Sequence, residues 1–269
     1  MSATRLDISL ERYEIGLSGA VPDRADWTEP AMDRGILEFV ALWSGLVFKY
    51  GGRVVHGSHP TFTPVIIHQA RLHAGERTRK PITLLLSELW FREMRPEDHQ
   101  ATGDVAEVII TKAVGGRGVD DVETRNRSLS AMREVLVGSM NTIVAIGGKK
   151  HRADGKIPGI QEELDLAAQQ NIPRFLIAGM GGYAQEYAQN IDPSSLNNDL
   201  PRAANEFLLG SRDVGACVNL LLNHFSTSKR LPQIADRPIR WNPGIKRVVD
   251  HRDGNFDFHA NQFVFAAPT

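Results

Sequence analysis

The sequence predicts an α/β fold, a Rossmann-like doubly wound parallel sheet of about six strands, followed by C-terminal helices and an irregular tail. Three observations predict it. Six short apolar runs, rich in β-branched residues and leucine, are spaced along the first 180 residues, and several are continuous rather than alternating, as in strands buried on both faces. Amphipathic helical patterns lie between them. Glycine, proline and hydroxyl residues cluster where runs end.

The elements follow in order. Tyr13–Leu17, Arg53–His56, Ile82–Leu86, Val108–Thr111, Thr142–Ile146 and Arg174–Ala178 are the predicted strands. Met32–Tyr50 spaces Ile36, Phe39, Val40, Trp43 and Val47 by threes and fours and stops at Gly51-Gly52, a favourable helix end. Pro64–His73, Ser128–Ser139 and Gly159–Gln170 are the next helices, and alternation with the strands implies βαβ units joined by right-handed crossovers. Beyond about residue 190, Asp192-Pro193-Ser194-Ser195 is read as a linker, Pro201–Leu209 and Val214–Phe225 as helices, and the proline-bearing last forty residues as an irregular wrap. The expected division is a core over residues 1–190 and a packed extension over 191–269.

Composition narrows the classes of function. The 269 residues are 42% hydrophobic and 23% charged, an ordinary globular balance that argues against disorder. A formal net charge of -1 argues against an extended nucleic-acid surface or a polybasic membrane binder. One cysteine, Cys217, excludes an intrachain disulfide and a multi-cysteine metal site. It sits in a helical apolar pattern and is read as core, as are Trp43 and Trp90. The longest apolar stretch, Leu37–Phe48, is too short to span a bilayer. The charged N-terminus does not look like a signal peptide, so the expected location is cytoplasmic.

Ligands of open α/β sheets lie beyond the carboxyl ends of the strands, where strand order reverses. The residues after each run are therefore the candidates. Ser18 and Gly19 follow the first, and Gly57, Ser58, His59 and Thr61 follow the second. Glycines and hydroxyls there suit a phosphate cradle, and equally a tight turn with Thr61 or Thr63 capping the helix that opens at Pro64. His56 and His59 lack a third ligand nearby, and no metal and no cofactor is assigned. Arg133 precedes the fifth run. After that run come Gly147, Gly148 and Lys149, a polar loop, and Gly159, Glu162 and Glu163 at a helix start. The carboxylates there complement the helix dipole or hold ribose hydroxyls. Gly181 and Gly182 follow the sixth run and are expected to cap the pocket. Neither a Walker A loop nor GxGxxG is present.

The order "LSGAVP … YGGRVVHGSHPTFTP … AMRE … IVAIGGKKH … PGIQEELDLA … IPRFLIAGMGG", from Tyr13 to Tyr183, resembles the SLOG superfamily, Rossmann-like proteins related to the LONELY GUY phosphoribohydrolases and the Smf-type DNA-processing proteins. "IGG … PGIQEE" stands where LONELY GUY enzymes carry PGGxGTxxE, but Ile146 replaces proline, a loop is inserted after Lys149, and Ile160 replaces threonine. In these departures the chain is more similar to the SLOG modules of bacterial immunity systems. That resemblance implies a nucleotide-derived ligand such as an ADP-ribose-like signal, contacted by Arg133, Lys149 and Glu163. The alternative is an N-glycosidase or phosphoribohydrolase in which Glu163 acts at the anomeric carbon. Separately, the late helices Pro201–Leu209 and Val214–Phe225 and the proline-bearing tail are read as surfaces for a homo-oligomer or an effector partner.

Overall fold

The computed structural model describes residues 8–25, 29–94, 102–150, 157–228 and 245–249. Six parallel strands form the sheet: β1 (Glu14–Ala20), β2 (Arg53–His56), β3 (Ile82–Ser87), β4 (Ala106–Thr111), β5 (Thr142–Gly147) and β6 (Arg174–Ile177). A seventh strand, β7 (Ile245–Val249), joins the edge antiparallel to β4. The order is β6-β5-β1-β2-β3-β4-β7. All six predicted strands are present. The tail, expected to be irregular, supplies β7, and its backbone pairing covers an edge that would otherwise present open donors and acceptors.

Strand β1 is central, and the chain reverses direction across it. It first builds outward through β2, β3 and β4, then returns to place β5 on β1's other side. The long helices are α1 (Pro30–Lys49) and α2 (Thr63–His73) in the first half, and α4 (Val122–Gly138) and α5 (Gly159–Gln169) in the second. Shorter helices are α3 (Glu88–Phe91), after β3, and α6 (Tyr183–Ala188), after β6. A 3-10 turn (Pro193–Leu196) leads to α7 (Arg202–Gly210) and α8 (Val214–Thr227).

Alternation along the buried strands divides the core into two layers. Val144 and Ile146 of β5 face α1, α2 and α8, where Phe39, Trp43, Cys217 and Phe225 pack. Ile143 and Ala145 face the opposite way, against Met132, Leu136, Leu164 and Tyr187 of α4, α5 and α6. Cys217 and Trp43 are buried, as read from sequence, and burial pushes the Cys217 thiol up. The stretch expected to be a linker is instead stitched to β6. Arg174 of β6 donates to the Ser195 carbonyl, and Asn205 donates to the Pro193 carbonyl at 3.1 Å.

Two local expectations are corrected. Helix α4 begins at Val122 rather than Ser128, because Asp121 accepts from the Thr124 N–H at 2.9 Å and caps a first turn that has no apolar stripe. Neither threonine caps α2. Thr63 Oγ1 donates to the His59 carbonyl at 2.8 Å, and Thr61 Oγ1 accepts from the Val21 N–H at 3.2 Å, tying the loops after β1 and β2 together. Asp250, His251 and His259 lie outside the described residues.

The paired ends of β1 and β5 depend on glycine. Gly19 has φ 134°, and a Cβ there would run into the Ile146 carbonyl oxygen. Gly19→Ala should therefore lower stability by about 2 kcal/mol or more. Gly57→Ala, whose Cβ would meet its nearest atoms at 3.6 Å, should stay within about 1 kcal/mol of wild type. Urea denaturation midpoints of the two variants check this contrast.

Candidate functional site

The switch in strand order opens a pocket of about 530 Å3 at the carboxyl ends of the strands. That volume lies within the ~300–1,000 Å3 range of small-molecule sites. Its wall takes Ser18 and Gly19 from β1, the loop after β2, Ser87 at the end of β3, Arg133 from α4, Gly148 and Lys149 after β5, and Gly159 and Glu163 from α5. Of the residues predicted from sequence, Ser18, Gly19, Gly57, Ser58, His59, Arg133, Gly148, Lys149, Gly159 and Glu163 line it.

Arg133 organises the polar end. Its Nη1 donates to Glu162 Oε2 at 2.6 Å, while its Nε lies 3.6 Å from Glu163 Oε1, too far for a hydrogen bond. Gly159 makes room for it. A Cβ at that position would lie 2.6 Å from Arg133 Nη2, and the guanidinium cannot swing away without leaving Glu162. The side chains of Arg133 and Glu163 are only 11% and 13% exposed. Two buried polar atoms here have no hydrogen-bond partner among the described residues, Ser18 Oγ and Arg133 Nε. Each such atom costs about 1–3 kcal/mol if it stays unsatisfied.

Burial pushes the Glu163 carboxyl above the ordinary glutamate range. The Arg133 charge and the nearby Ser18 hydroxyl pull it down, and Glu162 pushes it further up. Lys149 pairs with Asp23 at 2.8 Å, but Asp23 is 57% exposed, so the pair is weak and readily exchanged for another anion. Helix α5 opens at the pocket with no side chain capping its first amides.

His56 is spoken for. Its Nδ1 lies 2.8 Å from the Leu17 carbonyl and its Nε2 accepts from the His59 N–H at 3.2 Å. Such a ring donates at Nδ1, accepts at Nε2 and is neutral, and burial holds its pKa below the ordinary histidine value. Neither nitrogen is left to ligate a metal.

Five predicted residues stand outside the pocket wall. Thr61 ties two loops, as above, and Glu162 braces Arg133 from behind. Gly147, Gly181 and Gly182 serve the chain itself. Gly147 has φ 66° and sits beneath the Ala20 carbonyl, and Gly182 has φ 69° and packs on the backbone of Gly147. Gly181 has φ 80° and turns the chain after β6. The pocket cap expected from Gly181 and Gly182 is not formed. Gly148 lines the pocket, but its N–H donates to the Ala20 carbonyl at 2.7 Å and so is not offered to a ligand.

Sequence reasoning missed the apolar wall. Leu86, Trp90, Met94, Leu129 and Met132 all line the pocket, with Glu93 among them. Trp90 was expected to be core. Its position after β3, on the carboxyl rim, was the one available signal.

A family model described as SLOG cluster2 matches residues 37–210. Two solved structures are similar in fold. One is the X-ray structure of TM1055, a structural genomics target, with 15% identity over 66% of this chain and 81% of that chain, at a TM-score of 0.42. The other is DNA processing protein A from Helicobacter pylori, described for its single-stranded DNA binding mode, with 12% identity over 82% of this chain and 84% of that chain, at a TM-score of 0.44. No curated protein matches the sequence.

Glu163 gives the site a pH signature. Its folded carboxyl holds a proton more tightly than the unfolded one. It therefore contributes stability below the ordinary glutamate range, and loses that contribution as pH rises through its elevated folded value. Glu163→Gln cannot ionise, so its stability relative to wild type should rise as pH increases from the ordinary glutamate range upward. Urea midpoints measured at stepped pH test this, and parallel curves would refute it.

Proposed function

This chain belongs to the SLOG cluster2 family, and on that footing we propose that its pocket binds the sugar–phosphate part of a nucleotide or an NAD-derived, ADP-ribose-like ligand. The observation that carries the reading is the pair of unsatisfied atoms, Ser18 Oγ and Arg133 Nε, on pocket-lining side chains beside the Glu163 carboxyl. Of the six such atoms among the described residues, these two are on residues that line the pocket, and ligand oxygens would satisfy both. The phosphate sits against the opening turn of α5, where amides and helix dipole favour an anion, with Lys149 exchanging Asp23 for it. Ribose hydroxyls reach Ser18 and Glu163. Charged hydrogen bonds of ~1.5–3 kcal/mol each, a few together, support micromolar binding. In this reading the chain is a sensor, and its output belongs to a partner effector or to assembly of copies, as in the immunity modules it resembles.

One observation favours a second reading. Glu163 faces the pocket with a carboxyl raised by burial, the state a general acid needs to assist departure of a base from the anomeric carbon.

Titration calorimetry with AMP, ADP, NAD, ADP-ribose and cyclic ADP-ribose isomers tests the first reading. At least one should bind at micromolar concentration, and Lys149→Ala should weaken phosphate-bearing ligands about tenfold while leaving adenosine unchanged. No heat with any of them overturns it. Release of free base from AMP or NAD, followed by chromatography, tests the second. Glu163→Gln should abolish any turnover, and turnover that survives it would refute the role given to Glu163.

A further inference from the structure

The strand order spreads the pocket's chemistry along a line. The charged groups gather over β5 and β1, whereas the residues after β3 lie two strands beyond β1, at about 4.8 Å per strand a displacement of about 10 Å. The wall there is of another kind. Leu86 is the last residue but one of β3, and Trp90, Glu93 and Met94 follow at spacings of three and four, which place them on one face of the turn that continues α3. The Glu93 N–H bonded to the Trp90 carbonyl at 3.0 Å holds that turn. Leu129 and Met132, one turn apart on α4, are the other apolar members of the wall. Trp90 is half-buried, so one part of the indole is packed and another part faces the cavity.

We infer that this wall is the base-recognition subsite of the pocket. Trp90 stacks on one aromatic base, and the Glu93 carboxylate accepts a hydrogen bond from an exocyclic amino group. The inference rests on the nucleotide reading above and deepens it by naming the class of base, an amino-bearing one such as adenine. A flat indole with Met94 and Leu129 beside it offers area and polarisability to any ring, so stacking alone discriminates poorly. The carboxylate discriminates. It has no donor to offer a ring carbonyl, so a base carrying oxygen where adenine carries its amine leaves two acceptors facing each other.

The experiment titrates AMP, IMP and ribose 5-phosphate into the wild-type chain and into Trp90→Ala, Trp90→Phe and Glu93→Gln. Wild type should bind AMP about tenfold more tightly than IMP, and ribose 5-phosphate more weakly than either. Trp90→Ala should weaken AMP about tenfold and leave ribose 5-phosphate unchanged, and Trp90→Phe, which keeps a stacking ring, should retain most AMP affinity. Glu93→Gln, whose amide offers a donor as well as an acceptor, should close the gap between AMP and IMP. Equal loss of AMP and ribose 5-phosphate in Trp90→Ala overturns the subsite while leaving the sugar–phosphate reading intact. So does equal binding of AMP and ribose 5-phosphate by wild type. Absence of binding by all three ligands to wild type overturns the subsite, and when ADP, NAD, ADP-ribose and its cyclic isomers are silent as well it overturns the sugar–phosphate reading too.

Discussion

The molecule depends on one pairing. Strands β1 and β5 run parallel and stay in register to their last residues, Ala20 opposite Gly147. Those residues belong to the two halves of the chain, which leave the sheet toward opposite layers. Close approach at this point is what lets the ends lie side by side, and side chains would forbid it at Gly19 and Gly147. Two further links fasten the same spot, the Gly148 N–H to the Ala20 carbonyl and the Tyr183 N–H to the Gly148 carbonyl. The result is a stiff floor from which the crossovers diverge. The gap between them is the pocket, and it exists because the chain cannot fill a place where its two halves part.

At the two ends of the central strands, buried charge is arranged in opposite ways. At the amino ends, Arg53 donates to the Lys80 carbonyl, to Glu14 at 2.7 Å and to Thr83 at 2.8 Å, and Glu14 also meets Arg79 at 2.9 Å. None of Arg53, Glu14 and Thr83 has an orphaned buried atom among the described residues. That is a saturated network, and its work is to hold strands β1, β2 and β3 in register. At the carboxyl ends, Arg133 has one good hydrogen bond, a second carboxylate just out of reach, and a bare Nε beside the bare hydroxyl of Ser18. The same residue types are present at both ends. The difference is satisfaction, and in the proposed reading a ligand supplies the partners that the cluster opening on the cavity lacks.

The fold was legible because a fully buried strand declares itself by continuous apolar residues, and six of them did. Elements that carry no such stripe were not. The first turns of α4, Val122 to Arg127, are polar after an exposed Val122 and stand on a single cap, α3 and α6 are four and six residues long, and β7 exists only through its pairing with β4. At the site, strand ends led to ten of the fifteen named residues, because the carboxyl rim is fixed by topology. The glycines were harder to assign. From sequence alone, a glycine that admits a ligand cannot be told from one that admits another strand, and Gly147 and Gly182 are of the second kind. Trp90 was illegible for a different reason. Its meaning depends on β3 lying two places from β1, which is a property of the order of strands and not of any local pattern.

The same carboxyl separates a receptor from a catalyst. Glu163 stands between burial, which favours its proton, and the Arg133 guanidinium, which favours its loss. Arg133 is already committed to Glu162 at 2.6 Å and reaches Glu163 only at 3.6 Å, so its hold on the second carboxylate is the weaker of the two. In the proposed reading, a phosphate oxygen entering beside Ser18 would bring further negative potential close to Glu163 and exclude water from it. Both changes favour the proton. A phosphate there would therefore favour the acidic form of the carboxyl, whereas a ribose hydroxyl donating to it would favour the ionised form. A protonated Glu163 donates to a ligand oxygen, whereas an ionised one accepts from a ribose hydroxyl. In that reading the hold of Glu162 on the arginine, at 2.6 Å against 3.6 Å for Glu163, leaves the balance to a residue outside the pocket wall.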